Sequence, residues 1–220
     1  MVLAIYGSGS VGREITQLVN EMSSIGQQYQ DMFFVDDTLD KNGKSIDGLK
    51  CITFADVERQ YKDNECVFVV GVGEPKNRQL IYNRIKDKGY SLITLIHPSV
   101  FLPNSVVLGE GVVINKYTII SIHTEIRNNS YIQPQASIGH DVVIGENCVI
   151  STHSTISGHC CIGDNSYVAI NVPIREGVTI GNNCIVGMGS IITKDVPNDT
   201  ITAGATGRVV PRPKNKLVFK

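Results

Sequence analysis

Between residues 96 and 192 an aliphatic residue returns at every sixth position, and each step from Ile96 to Ile192 lands on Ile, Leu or Val. A period of six fits neither an α-helix nor a lone strand. A second column, four residues behind the first, runs from Val100 through Thr118, Ala136, Cys148, Ser154 and Cys160 to Val196, and holds only small or β-branched residues. Glycine often follows the aliphatic residue, as at 109, 139, 145, 163, 181 and 187. One large and one small inward residue per six is the signature of a parallel β-helix of hexapeptides. Three hexapeptides close one triangular coil, so residues eighteen apart stack at roughly 4.8 Å.

Residues 1–95 follow another pattern. VLAIY, MFFVDD and ECVFVVGVG read as strands, and VGREITQLVNEM and PKNRQLIYNRIKDKG read as helices, the second ending at glycine. Strands alternating with helices predict a small parallel sheet, half of a doubly wound unit. The expected organisation is an α/β half-Rossmann domain over 1–95, a β-helix over 96–197 and a C-terminal tail over 198–220.

Composition narrows the function classes. Hydrophobic residues make up 42% and charged residues 19%, an ordinary globular balance. The net charge of −1 supplies no field toward nucleic acid or an anionic membrane. The opening MVLAIYGSGS reads as a first strand rather than a signal peptide, and CVFVVGVG is too short to span a bilayer. A soluble, cytoplasmic protein is expected. None of the six cysteines forms a CxxC pair, which argues against a zinc or redox motif, and the repeat places Cys148, Cys160 and Cys184 inside.

The repeat also places the histidines. His140 falls at a corner of the prism, stacked between Ile122 and Gly158, while His123, Asp141 and His159 share the adjacent column. Exposed corners carry polar residues without any function, and that reading suffices for a single histidine. Four such groups at one corner favour chemistry. A histidine beside a carboxylate and a glycine amide can take a proton from a nucleophile while the N–H steadies an oxyanion. No serine or cysteine is paired with a base, so this is not a nucleophilic triad. A metal reading is weaker, since the histidines stack in a line, and no metal is expected. Asp141 tunes or orients an imidazole, that of His140, His123 or His159. His153 reads as structural, and His97, before a proline, as a turn residue.

The unbroken hexapeptide array, ASIGHDVVIGENCVIS and the closing IVGMGSIITKDVPNDTITAGATGR, behind a GSGSVG-bearing α/β domain, resemble the bacterial nucleotide-sugar N-acetyltransferases over nearly the whole chain. The resemblance implies a left-handed β-helix and a homotrimer with acetyl-CoA between subunits. It also implies acetylation of the C4 amine of a nucleotide-linked 4-amino-4,6-dideoxyhexose, in surface polysaccharide (lipopolysaccharide, O-antigen) or glycan precursor biosynthesis. By position it makes His140 the base, Asp141 its acidic neighbour and Gly158 the amide donor to the thioester carbonyl. Gly187, Met188, Gly189, Lys194, Gly204 and Arg208 would line the CoA groove. The family's terminal G-x-P-A is Gly204-Ala205-Thr206-Gly207 here, without the proline, and a second histidine found in some relatives is Val149 here.

Gly7-Ser8-Gly9-Ser10-Val11-Gly12 after a strand, with Asp36 and Asp37 ending the next, fits the dinucleotide fingerprint. An NAD site would need a second mononucleotide unit, which 95 residues do not supply. By the resemblance, Gly7, Ser8, Gly9, Gly12, Asp36, Asp37, Gly71 and Gly73 bind the nucleotide of the sugar donor, whether uridine, thymidine or guanosine. Two rival readings are O-acetylation of a sialic-acid-type sugar and a non-catalytic β-helix binding module.

Overall fold

The computed structural model describes residues 1–23, 29, 31–38 and 40–219. They form two compact units, one of Met1–Gly73 with Leu80–Thr94, the other of Glu74–Gln79 with Leu95 onward. No helix among the described residues is long and apolar enough to cross a membrane.

The first 92 residues run β1 (Val2–Tyr6), α1 (Ser10–Ser23), β2 (Asp31–Val35), β3 (Ser45–Ile46), β4 (Leu49–Ile52), α2 (Phe54–Gln60), β5 (Cys66–Val70), α3 (Pro75–Asp87) and β6 (Ser91–Leu92). The sheet order is β3-β4-β2-β1-β5-β6, parallel except for the β3–β4 pair. β5 is buried throughout and β1 nearly so, as central parallel strands must be. α1 buries Ile15, Leu18, Val19 and Met22, an i, i+3, i+4, i+7 stripe. Tyr6, Phe54, Phe68 and Tyr90 pack ring against ring in the core.

Four elements of this unit, β3, β4, α2 and β6, lie outside those read from the sequence. β3 and β4 join through Asp47-Gly48, both at positive φ (47° and 85°), the two-residue turn that an Asp-Gly pair favours. α2 starts at a reciprocal capping box between Thr53 and Asp56. Because β2 and β5 flank β1 on opposite sides, the strand order reverses at β1 and opens a crevice beyond its C-terminal end.

The second unit is a parallel β-helix. Its dipeptide strands pair eighteen residues apart, as in Ile120↔Ile138↔Ile156 and Ile132↔Ile150, and stack into three faces. From Val112 onward both periodic columns are buried, Ile144, Ile150 and Ile156 with Val142, Cys148, Ser154 and Cys160. Inward hydroxyls donate to main-chain carbonyls, Ser130 Oγ to Gly145 O at 2.7 Å and Ser154 Oγ to Ala169 O at 2.6 Å. Strand Thr200–Ala203 of the tail pairs with Ile185–Val186 and with Arg208–Pro211.

A third column emerges at the corners. Every sixth residue from Gly111 to Gly189 has φ between 55° and 73°. Asn, Asp, His and Gly dominate it because they tolerate the left-handed region. The polarity of the corners therefore has a backbone cause. The recurring glycine has a second one: a Cβ on Gly145 would lie 2.4 Å from Asp164 Oδ1, the atom that accepts the Glu146 N–H at 2.8 Å. Gly109, Gly163 and Gly181 make the same room for Asn128, Asn182 and Asn198.

One corner is anchored by Arg78, which is fully buried. Its Nε and Nη2 donate to Asn129 O at 2.9 and 2.7 Å, and Nη2 also reaches Asn129 Oδ1 at 3.0 Å. Asn129 Nδ2 donates back to Arg78 O and on to Asn147 Oδ1.

Candidate active site

His140 and Asp141 are the two middle residues of a corner turn, and His140 Nδ1 lies 2.8 Å from Asp141 Oδ2. The choice among three imidazoles is thus decided for His140. Alternation would splay the pair on a strand, but in a turn their side chains converge. His159 stands one coil on, its N–H bonded to His140 O at 3.0 Å, with Nδ1 3.9 Å from Asp141 Oδ2 and its ring edge-on to that of His140 at 4.9 Å. The bond from His140 holds the Asp141 carboxyl below the usual carboxylate range, with the His159 and His123 charges adding to it. With the Nδ1 proton given to Asp141, Nε2 carries the free lone pair.

That ring rests on Gly158. A Cβ there would lie 2.6 Å from His140 Cε1 and 2.7 Å from Nε2. The side-chain ladder that caps the Glu146 and Asp164 amides is missing at this corner, and the N–H groups of His140 and Gly158 have no acceptor among the described residues. Gly158→Ala should keep the fold, since the displaced atoms end a half-exposed side chain, yet turn the His140 ring out of position. A loss of activity of about 10²-fold at an unchanged thermal midpoint is the expected result.

At the crevice of the first unit Gly7 has φ 115°, and a Cβ on Gly12 would lie 1.9 Å from Gly7 O. Gly71 is also tightly packed, its Cβ position 2.8 Å from Gly12 Cα. The three glycines lock the ends of β1, α1 and β5 together. Gly9 faces open space, where a ligand can approach the backbone. Ser8 Oγ donates to Asp36, which also accepts from Lys41 Nζ at 2.9 Å and Thr38 N at 3.1 Å. Burial opposes ionisation of Asp36, but these donors outweigh it and hold the carboxyl far below its ordinary range. Asp37 accepts from Tyr6 Oη, Arg84 Nη1 and Phe54 N; burial opposes its ionisation too, and these partners again prevail. The same corner pushes the Tyr6 hydroxyl up, first by burial and then by Asp37.

Residues 2–85 match the PglD N-terminal domain, residues 123–158 the bacterial transferase hexapeptide (six repeats), and residues 155–194 the hexapeptide repeat of succinyl-transferase. The first unit is thus similar to a PglD-type N-terminal domain, and the β-helix to hexapeptide-repeat transferases. GDP-perosamine N-acetyltransferase of Escherichia coli O157:H7 is 30% identical over 129 residues, 56% of this chain, and the match spans about half (54%) of that relative. The acetyltransferase domain of PglB from Neisseria gonorrhoeae FA1090, solved with acetyl coenzyme A, superimposes with a TM-score of 0.86 at 23% identity, over 95% of this chain and 98% of that one. PerB from Caulobacter crescentus, solved with CoA and GDP-perosamine, gives 0.84 at 24% identity, over 96% and 97%. At these identities the two structures establish the fold.

Within this chain the remaining predicted residues divide. Lys194 belongs to the stack of His140, Gly158 and Glu176, because Ile192 bridges Ile174 as the coils continue. Gly187, exposed Met188 and Gly189 turn at a different corner, the one that carries His153 and Asn171. Exposed Gly204 and Arg208 lie in the hairpin beside them, where Thr202 O accepts the Gly187 N–H. Gly204 and Gly207 close that hairpin with a Gly207 N–H to Gly204 O bond. Val149 is buried between coils. His97 Nδ1 accepts the Ser99 N–H at 3.0 Å, a turn bond, and His153 occupies a left-handed corner position.

Proposed function

We propose that the chain transfers the acetyl group of acetyl-CoA to the C4 amine of a nucleotide-linked 4-amino-4,6-dideoxyhexose. The observation that carries this reading is His140, bonded through Nδ1 to an ionised Asp141 and laid on Gly158 beside two uncapped amides. The sugar amine attacks the thioester carbonyl, and Nε2 takes the proton that the nitrogen sheds. The Gly158 N–H steadies the tetrahedral oxyanion, which collapses to amide and CoA thiolate. Asp141 holds the tautomer and stabilises the imidazolium.

The first unit binds the nucleotide through Gly7, Ser8, Gly9, Gly12, Asp36, Asp37, Gly71 and Gly73, and the β-helix carries the transfer. Gly187, Met188, Gly189, Lys194, Gly204 and Arg208 hold CoA. Because Met188 and His140 occupy different corners of one prism, a groove between two copies of a homotrimer unites them better than a single chain does. The reaction belongs in the cytoplasm, in the making of surface-polysaccharide precursors.

Asp141→Asn tests the arrangement without disturbing the turn, since Asn suits the positive φ. It should lower kcat on the order of tenfold and leave the KM for acetyl-CoA unchanged. Because the His140 bond holds the Asp141 carboxyl below its ordinary range near about 4, Asp141 stays ionised at neutral pH and keeps its hold on the imidazole. Thermal stabilisation by acetyl-CoA is expected, and its absence would favour a binding module.

A further inference from the structure

We propose that His140, Asp141 and His159 form a binding site for a divalent transition-metal ion, zinc above all, whose occupation switches the base off. The binding stands on geometry alone; the switch rests on the acetyl-transfer reading. The three side chains each offer a donor atom, and all lie within 4.8 Å of one another. The Nδ1 atoms of both rings face the same Asp141 oxygen, at 2.8 and 3.9 Å. His140 stands beside the His123–Asp141–His159 column, so the donors form a triangle rather than the line expected from the sequence. Two imidazoles and one carboxylate suit zinc, copper or nickel rather than magnesium or calcium.

Two features hold the triangle. Asp141 and His159 both sit at left-handed corner positions, with φ of 56° and 58°. The His159 N–H to His140 O bond ties the coils. All three side chains are about half exposed, so an ion can reach them from solvent and keep a water in a fourth position.

The ion would oppose catalysis through a single proton. In the metal-free site Nδ1–H of His140 points at Asp141 and Nε2 holds the lone pair. An ion on Nδ1 displaces that proton, and the neutral ring then carries its one N–H at Nε2. The pair that accepts the amine proton is gone, with no net change in ring protons.

The test is titration of the full chain with Zn2+ by calorimetry and with Co2+ by visible absorption, for wild type and His159→Asn, a variant that keeps a residue fit for positive φ. One ion per chain is expected, with affinity weakened about tenfold or more in the variant. Zinc inhibition of acetyl transfer should weaken in parallel and reverse with a chelator. Equal zinc affinity in both proteins, or none in the wild type, overturns the site. Binding that fits the expectation without inhibition of an active enzyme overturns the switch. Binding lost in His159→Asn, in a protein that acetylates no acceptor when metal-free, upholds the site and counts against the proposed function.

Discussion

His140→Ala is expected to lower kcat for acetyl transfer by about 10²–10⁴-fold while acetyl-CoA still binds and the β-helix keeps its thermal midpoint. The magnitude is that of a lost general base: the attacking nitrogen must shed a proton, and Nε2 is the only acceptor the proposed reaction uses. The fold should survive because His140 is about half exposed, is not one of the left-handed corner residues, and gives its Nδ1 proton to an exposed carboxylate. The substrates still meet, so the part of the acceleration that comes from holding them together remains. Single-turnover rates beside acetyl-CoA binding separate the two effects. Wild-type turnover in the variant would remove His140 from the mechanism.

Arg78→Met should have the largest effect on stability. Arg78 is fully buried and gives three hydrogen bonds to the carbonyl and side-chain oxygens of Asn129. Burial pushes its guanidinium down to about 10, which leaves it charged at neutral pH. Methionine fills similar space but strands two buried acceptors, and hydrogen bonds from charged donors contribute about 1.5–3 kcal/mol each. A loss of about 3 kcal/mol or more is expected, read as a lower urea midpoint for the β-helix signal. Arg78→Lys should recover little of it, because an ammonium lacks the fork that reaches both oxygens. Activity per folded molecule should change far less than stability does.

The period of six carried most of the fold into view, because each coil of a β-helix repeats the same inward demand and sixteen steps cannot satisfy it by accident. The corner column was equally periodic, at Asn129, Asp141, Asn147, His153, His159 and Asn165, yet polarity alone hid its cause, which is a positive φ. That matters for His123 and His159, whose places in the column are fixed by the backbone as well as by any chemistry. In the first unit the Asp47-Gly48 turn was readable, but the strands it joins are too short to show alternation. Arg78 left no trace, since a helical arginine looks exposed until the chain brings Asn129 to it across 51 positions.

The site was legible as far as stacking reaches. Eighteen-residue arithmetic set Gly158 over His140, and the structure puts the ring against it. It did not decide the partner of Asp141, because a turn and a strand aim neighbouring side chains differently. Nor did it show that Asp36 and Asp37 are both engaged by protein donors, Ser8 and Lys41 on one, Tyr6 and Arg84 on the other. Those bonds depend on how β1, β2 and α3 meet, which sequence spacing does not encode.

Acetyl transfer to an amine is read out by CoA thiol release from acetyl-CoA with UDP-, dTDP- and GDP-linked 4-amino-4,6-dideoxyhexoses, each run beside its 4-hydroxyl counterpart. Stoichiometric thiol release with one amino acceptor is expected, with a product heavier by one acetyl group and no release with the hydroxyl counterpart. Silence across the amino sugars in a protein that binds acetyl-CoA, or release with the hydroxyl acceptors alone, would contradict transfer to an amine.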